Sequence, residues 1–304
     1  MSEAAISPSG VLNIDKPAGL TSHDVVARVR RLSGVRRVGH AGALDPLATG
    51  VLLVCVGAAT RIVEYLQAGR KTYAVQVRLG QRTDTYDAQG QVLSQAPVPA
   101  LDAAALEQAL APFRGPGWQI PPMVSALKHK GRALYEYARQ GEEIARTPRA
   151  MTVHHLEITQ WQPPDLDLLV VCSPGFYVRS LAHDLGEALG CGGHVRQLRR
   201  LASGAWRVED AIPLAELEQA GPAWSDRLHS LKAALSMLPP LVLDDELAQR
   251  FVQGQRLPLP AGAVAGDVRV FGVDEQLLGI GRAEPEQGRL SPHKIFQPPA
   301  MINH

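Results

Sequence analysis

Between Lys71 and Leu79 the sequence reads KTYAVQVRL, in which Tyr73, Val75, Val77 and Leu79 alternate with Thr72, Gln76 and Arg78. Successive side chains on a strand point to opposite faces, so this period of two predicts a strand with one buried face. The neighbouring segments decide what kind of sheet it joins. GVLNID at 10–15 and VLLVCV at 51–56 read as strands, the second buried, and two more are expected at about 151–161 and 166–173 with PPD between them. Helical spacing is expected from Ser22, a candidate N-cap, to Leu32, closed by Gly34. Further helices are expected over 58–67, about 102–112, from Val178 through Leu181 and Leu185 to Leu189, and over 214–236. Strand and helix patterns alternate irregularly, with hairpins, which predicts an α+β fold with a mixed sheet rather than a doubly wound parallel one.

At 304 residues the chain exceeds one average domain. LPPLVL marks a boundary near 239, giving domains 1–238 and 239–304. The second offers a short helix at 244–253 and strands around 268–273, 277–283 and 290–296, a β-rich module of marginal size for folding alone. An apolar fraction of 45% and a charged fraction of 20% are those of a folded chain. Neither an apolar run of about 18 residues nor a charged-then-apolar leader is found, so the expected location is the cytoplasm, with no membrane partner. Cys55, Cys172 and Cys191 are odd in number and far apart, which reads as reduced thiols.

The net charge of +1 conceals an uneven distribution. Residues 28–40 hold Arg28, Arg30, Arg31, Arg36 and Arg37 with no acid, and 194–207 hold Arg196, Arg199, Arg200 and Arg207 with none. From Pro240 onward there are 6 Lys or Arg against 8 Asp or Glu. The basic stretches are candidates for phosphate contact or for solvated faces. A bounded, proline-flanked segment at about 123–152, mixed in charge, reads as a partly helical excursion from the body.

No chelating set beyond the single pair in CGGH (191–194) is visible, so no metal is expected. Dinucleotide, P-loop and serine-hydrolase motifs are missing. What stands out is GHAGALDPLATG, residues 39–50, where His40 and Asp45 are the titratable groups among small and apolar neighbours. Gly and the Asp-Pro step make it a loop, in which Asp45 is either a turn-former or a positioned chemical group. A carboxylate in such a setting needs a cation to stay ionised, and Arg179 of GFYVRS is the candidate. Tyr73 and Tyr177, with arginines near them in sequence, have the chemistry that holds an unstacked nucleobase, or are core aromatics with a polar tip.

Five stretches carry a resemblance: GVLNIDKPAGLTSHDVV, GHAGALDPLATGVLLVCVGAATR, KTYAVQVRLGQRTDTYDAQG, IPPMVSALKHKGRALYEYARQG and SPGFYVRSLAHDLGEALGCGGHVRQLRRLASG. In this order, over roughly residues 10–210, the chain resembles the TruB family of tRNA pseudouridine-55 synthases. The resemblance implies a catalytic domain with a mixed, largely antiparallel sheet and flanking helices, plus a small PUA-like domain. It implies that the chain isomerises uridine 55 in the T-loop of tRNA by flipping the base, breaking its glycosidic bond and rejoining the uracil through C5. Nothing is lost and nothing oxidised, so no cofactor is expected. Asp45 falls at the family's catalytic aspartate, Tyr73 at the residue stacking on the target base, Arg179 at the aspartate's partner, and Tyr177 and Leu198 at pocket walls. Lys16 is implied in pocket support, His40 in filling the space the flipped nucleotide leaves, and Asp84 in RNA contact. The 123–152 excursion resembles the loop that closes over the RNA arm. Lys128, Lys130 and Arg132 within it, with Arg36, Arg37, Arg199 and Arg200 of the basic stretches, are the further RNA-contact candidates. The C-terminal segment resembles the family only loosely, and its acidic balance argues against strong phosphate binding. A monomer acting without an obligatory protein partner is expected. The alternatives are a pseudouridine synthase for another RNA, and a tRNA-binding folding chaperone with or without catalysis.

Overall fold

Lys71–Leu79 is a strand throughout, and it lies inside a ten-stranded sheet. The computed structural model describes residues 8–260 and 262–296. Along the sheet the order is Ile212–Pro213, Gly10–Lys16, Thr49–Val56, Gly193–Ser203, Lys71–Leu79, Asp165–Cys172, Arg149–Gln162 and Gly115–Gln119. Val38–His40 pairs with Thr49–Val56, and Trp206–Arg207 with Gly193–Ser203. Two pairings are parallel, Gly10–Lys16 with Ile212–Pro213 and Gly193–Ser203 with Thr49–Val56, and the others are antiparallel. The fold is α+β with a mixed, largely antiparallel sheet, as expected.

Tyr73, Val75, Val77 and Leu79 belong to one apolar cluster with Val25, Val26 and Val29 of helix Ser22–Ser33 and Leu181, Ala182 and Leu185 of helix Val178–Ala188. A second cluster joins Val11, Val51, Leu53 and Cys55 to the 3-10 segment Gly57–Ile62 and to Leu66. Burial pushes the Cys55 and Cys172 thiols up to about 12, so both behave as small apolar residues.

Several expected elements differ. The helix at 22–33 is capped by Thr21, which forms a capping box with Asp24, because Ser22 turns its hydroxyl inward. The 214–236 stretch is broken into helix Leu214–Gln219, the 3-10 segment Gly221–Arg227 and the turn of helix Leu231–Ala234; Pro222 lacks an N–H and Gly221 sits at φ 53. Most consequential, the basic stretch near 194–207 is largely the strand Gly193–Ser203, inside the sheet. Register shifts at Val195/Gln197 and Arg200/Ala202 interrupt its alternation, so Val195, Leu198 and Arg200 stand opposite Val77, Val75 and Tyr73. The excursion is also shorter than expected, since Arg149 already begins the strand Arg149–Gln162.

Pro240–Val242, Gly266–Phe271, Leu277–Glu284, Arg289–Ile295 and Leu257–Pro258 form a separate five-stranded sheet in that order. Helix Asp245–Val252 covers it, burying Phe251 in a third apolar cluster. Ile280, Leu277 and Phe296 reach instead into the second cluster of the large sheet's side, and the Tyr65 hydroxyl donates to Asp267 at 3.0 Å. Among the described residues no helix is long and apolar enough to cross a membrane.

Candidate active site

The loop between Val38–His40 and Thr49–Val56 is anchored by its backbone from four directions, leaving the Asp45 side chain for other partners. Ser22 Oγ accepts from Leu44 N at 2.8 Å and donates to Leu44 O at 3.2 Å. Arg200, only 1% exposed, donates to Val51 O at 2.6 Å, Gly42 O at 3.0 Å and Ala43 O at 3.2 Å. Lys16 Nζ donates to Leu20 O at 2.6 Å, Pro17 O at 2.9 Å and Pro46 O at 3.4 Å, while Gly19 N also donates to Pro46 O. Burial lowers the Lys16 ammonium to about 8, against the pull of Asp45. Gly50 is required at the loop's exit: its φ is 98°, and a Cβ there would lie 2.2 Å from Arg200 O.

Asp45 is held from above by Arg179, the second residue of helix Val178–Ala188. Nε donates to Oδ2 at 2.8 Å and Nη2 to Oδ1 at 2.9 Å, a two-point pair. The guanidinium also donates to Thr85 O at 2.9 Å and Val124 O at 2.8 Å, and Asp87 Oδ2 lies 3.8 Å from Nε. Arg179 is therefore buried with every guanidinium nitrogen hydrogen-bonded, whereas the Asp45 side chain is 35% exposed and faces a cleft. Gln119 sets the helix start by clasping Tyr177, its Nε2 donating to Tyr177 O at 2.9 Å and its Oε1 accepting from Tyr177 N at 2.8 Å.

The cleft has a volume of about 580 Å³. Asp45, Tyr73, Tyr177, Arg179, Leu198 and Arg200 all line it, bringing together residues from three strands or loops and a helix. Tyr73 and Leu198 are each 7% exposed, and burial raises the Tyr73 and Tyr177 phenols, so both stay protonated and neutral near pH 7. The arrangement offers one accessible carboxylate, a fixed cation behind it, and flat apolar walls. That suits a planar, uncharged group brought against a carboxylate.

The sequence of the chain matches three family models: TruB family pseudouridylate synthase (N terminal domain) over 30–178, tRNA pseudouridylate synthase B C-terminal domain over 179–244, and Pseudouridine synthase II TruB, C-terminal over 239–296. The chain belongs to the TruB family. Among TruB relatives, tRNA pseudouridine synthase B of Burkholderia pseudomallei (strain 668) is 46% identical over 293 residues, 94% of this chain and 96% of that protein. The protein of the same name from Coxiella burnetii (strain Dugway 5J108-111) is 41% identical, over 95% and 94%. Among solved structures, a chain of a Cbf5-Nop10-Gar1 complex aligns with TM-score 0.74 and 26% identity, over 96% of this chain and 86% of that one. A chain of an H/ACA RNP bound to a substrate RNA containing 2'-deoxyuridine aligns with TM-score 0.73 and 25% identity, over 95% and 86%.

Other sequence-predicted residues of this TruB protein lie elsewhere. His40 is outside the cleft lining; its ring meets His23 edge-on at 5.3 Å, and burial chiefly lowers its imidazole. Lys16 supports the loop from beneath and does not line the cleft. Asp84 is exposed, and its carboxylate accepts from Gln91 N within its own turn at 2.8 Å. Arg200 is a correction: expected at RNA, it is buried and bonded to three carbonyls, because the shifted register turns it inward. Arg199 pairs with Asp15 at 2.7 Å and Arg196 pairs with Asp165, so the second basic stretch is largely neutralised. Arg36, Arg37, Lys128 and Lys130 are exposed, and Arg132 stacks over Tyr137 at 4.3 Å.

Sequence reasoning missed Lys71, Asp87, Ser22 and Gln119. Lys71 had a signal: it is two residues before Tyr73 on the same strand and so shares its face. It lines the cleft, donates to Gly69 O at 2.8 Å and Gln67 O at 3.0 Å, and is lowered to about 8 by burial. Asp87 is buried beside Arg179, in a segment read only as a turn.

Proposed function

We propose that this enzyme converts uridine 55 in the T-loop of tRNA to pseudouridine, with Asp45 as the catalytic carboxylate. One observation carries the reading: the Asp45–Arg179 pair opens onto a cleft walled by Tyr73, Tyr177 and Leu198, large enough for a flipped pyrimidine nucleotide. Extracting the base costs a few kcal/mol, which contacts to an irregular T-loop offset. Tyr73 supplies the stacking face, Tyr177 and Leu198 the walls, and Arg179 holds the carboxylate in a two-point pair that aims it. Asp45 then either attacks C1', attacks C6, or removes the C2' proton; each is compatible with its exposed edge. The reaction is internally balanced and draws on no cofactor.

His40, beside the loop, would support the RNA once the nucleotide has left its stack. Lys128 and Lys130 stand on the excursion proposed to close over the RNA arm, and Arg36 and Arg37 near the start of the catalytic loop's strand. We place the chain in the cytoplasm, where its substrate is, and read it as acting without a protein partner. The higher identity to proteins named for tRNA than to chains solved in multi-protein complexes supports that choice. The division near 239 is part of the proposal, supported by the separate sheet and apolar cluster of the C-terminal module.

The test is tritium release from tRNA labelled at uridine C5, with a transcript carrying cytidine at position 55 as control. Release from the first and none from the second is expected. Equal release from both would move the target to another uridine.

A further inference from the structure

Three side-chain nitrogens outside the Asp45 cleft are buried without a hydrogen-bond partner and gather at one helix: Arg82 Nε, Arg146 Nε and His183 Nδ1. His183 is four residues after Arg179 on helix Val178–Ala188, so it occupies the same face one turn further on. Its ring lies flat on Tyr86, with centroids 3.8 Å apart and planes 5° from parallel. Tyr86 keeps a φ of 63°, uncommon for a residue with a Cβ, so the stack is held by the turn at 81–90. On one side, Arg82 packs by Gly192 and its guanidinium stands 3.9 Å from Glu187, beyond hydrogen-bond range. On the other, Arg146 donates to Pro121 O at 3.1 Å, next to Ile120, whose carbonyl accepts from Ser180 of the same helix at 2.9 Å. Glu143 lies 3.3 Å from Arg146 with its side chain 81% exposed, a solvent-screened contact. Burial is the main reason the His183 imidazole titrates below its ordinary range; Glu187 draws it up, while Arg82 and Arg146 press it down.

Buried donors without acceptors call for an acceptor-rich group. Two guanidiniums supply charge and paired donors for the oxygens of a phosphate, and a neutral imidazole protonated at Nδ1 adds one further donor. The Arg82 side chain is 43% exposed and that of Arg146 16%, so the cluster meets solvent at Arg82. We propose that Arg82, Arg146 and His183 form a phosphate subsite for one backbone phosphodiester of the bound RNA, adjoining the catalytic cleft but distinct from it. This rests on the RNA substrate proposed above. A phosphate seated there would bridge the 81–90 turn, the catalytic helix and the root of the excursion, coupling closure of the excursion to occupancy by RNA.

The experiment measures binding of a T-arm hairpin by the full chain over a series of salt concentrations, for wild type, Arg82→Gln, Arg146→Gln and the double variant. Each lost phosphate contact lowers the slope of log affinity against log salt by roughly 0.7 to 0.9, so the double variant should lose roughly twice that. A scan of single methylphosphonate linkages in the hairpin should find one position that weakens wild type and leaves the double variant indifferent. That arm separates an RNA phosphodiester from free phosphate; competition by inorganic phosphate at matched ionic strength with no sensitive linkage would overturn the proposal. An unchanged slope in a double variant that melts like wild type would also overturn it. Should the double variant not fold, Arg82→Gln, substituted where the cluster meets solvent, carries the same test with one contact. Normal hairpin binding without tritium release in wild type would sink the isomerase reading and leave the subsite standing.

Discussion

At the scale of single residues, the site depends on one arginine whose three guanidinium nitrogens are all hydrogen-bonded. Arg179 divides its guanidinium between both oxygens of Asp45 and two backbone carbonyls, a fork that a lysine ammonium cannot reproduce. Arg179→Lys should therefore lower kcat/KM for tritium release by about 10²-fold or more while the protein still melts cooperatively; activity within a few fold would show that charge alone suffices. Lys16 gives a pH signature. Its folded-state value of about 8 is below the ordinary 10.5, so between those limits the unfolded chain binds more protons and stability from this group rises with pH. Urea midpoints at pH 7.5 and 9.5 should show wild type gaining relative to Lys16→Met across the interval. Equal shifts in the two proteins would mean that Lys16 is not desolvated. The pairing of Asp45 with Arg179 was legible in the sequence, but an Asp-Pro step on a loop is equally a turn, so the proposed chemical role comes only from the family motif. Arg200 was misread because counting charges cannot separate a buried guanidinium serving carbonyls from one awaiting phosphate.

At the scale of elements, a strand with clean alternation was legible and a bulged one was not. Lys71–Leu79 keeps a period of two from end to end, whereas Gly193–Ser203 shifts register twice and shows apolar residues at Val195, Leu198 and Leu201, a spacing of three. Those shifts put Leu198 and Arg200 on the Tyr73 face, so the feature that hid the strand also builds the cleft wall. The Asp45 loop depends on this strand's close approach. Gly50→Ala would force a Cβ into Arg200 O at a positive φ, and should cost about 3 kcal/mol or more of stability by denaturant unfolding. A cost under about 1 kcal/mol, the ordinary glycine-to-alanine scale, would mean the strands part more easily than their packing indicates.

At the scale of the whole molecule, the C-terminal module was readable as a β-rich unit, but its docking was not. Apolar residues spread over distant segments carry no local signal that they share one cluster. Ile280, Leu277 and Phe296 pack with Val51, Cys55, Ile62 and Leu66, so removal of the module bares apolar surface behind the strand that follows the Asp45 loop. A chain ending at 239 should melt at lower temperature than the full chain and self-associate, measured by calorimetry and light scattering; an equally stable monomer would show that this contact is dispensable. The central claim is that a single carboxylate in an RNA-binding cleft performs the chemistry. Its most direct test compares wild type with Asp45→Asn in tritium release from C5-labelled tRNA and in tRNA affinity. Release should fall by roughly 10³-fold or more with affinity within a few fold, whereas release at the wild-type rate from folded Asp45→Asn protein would contradict the account.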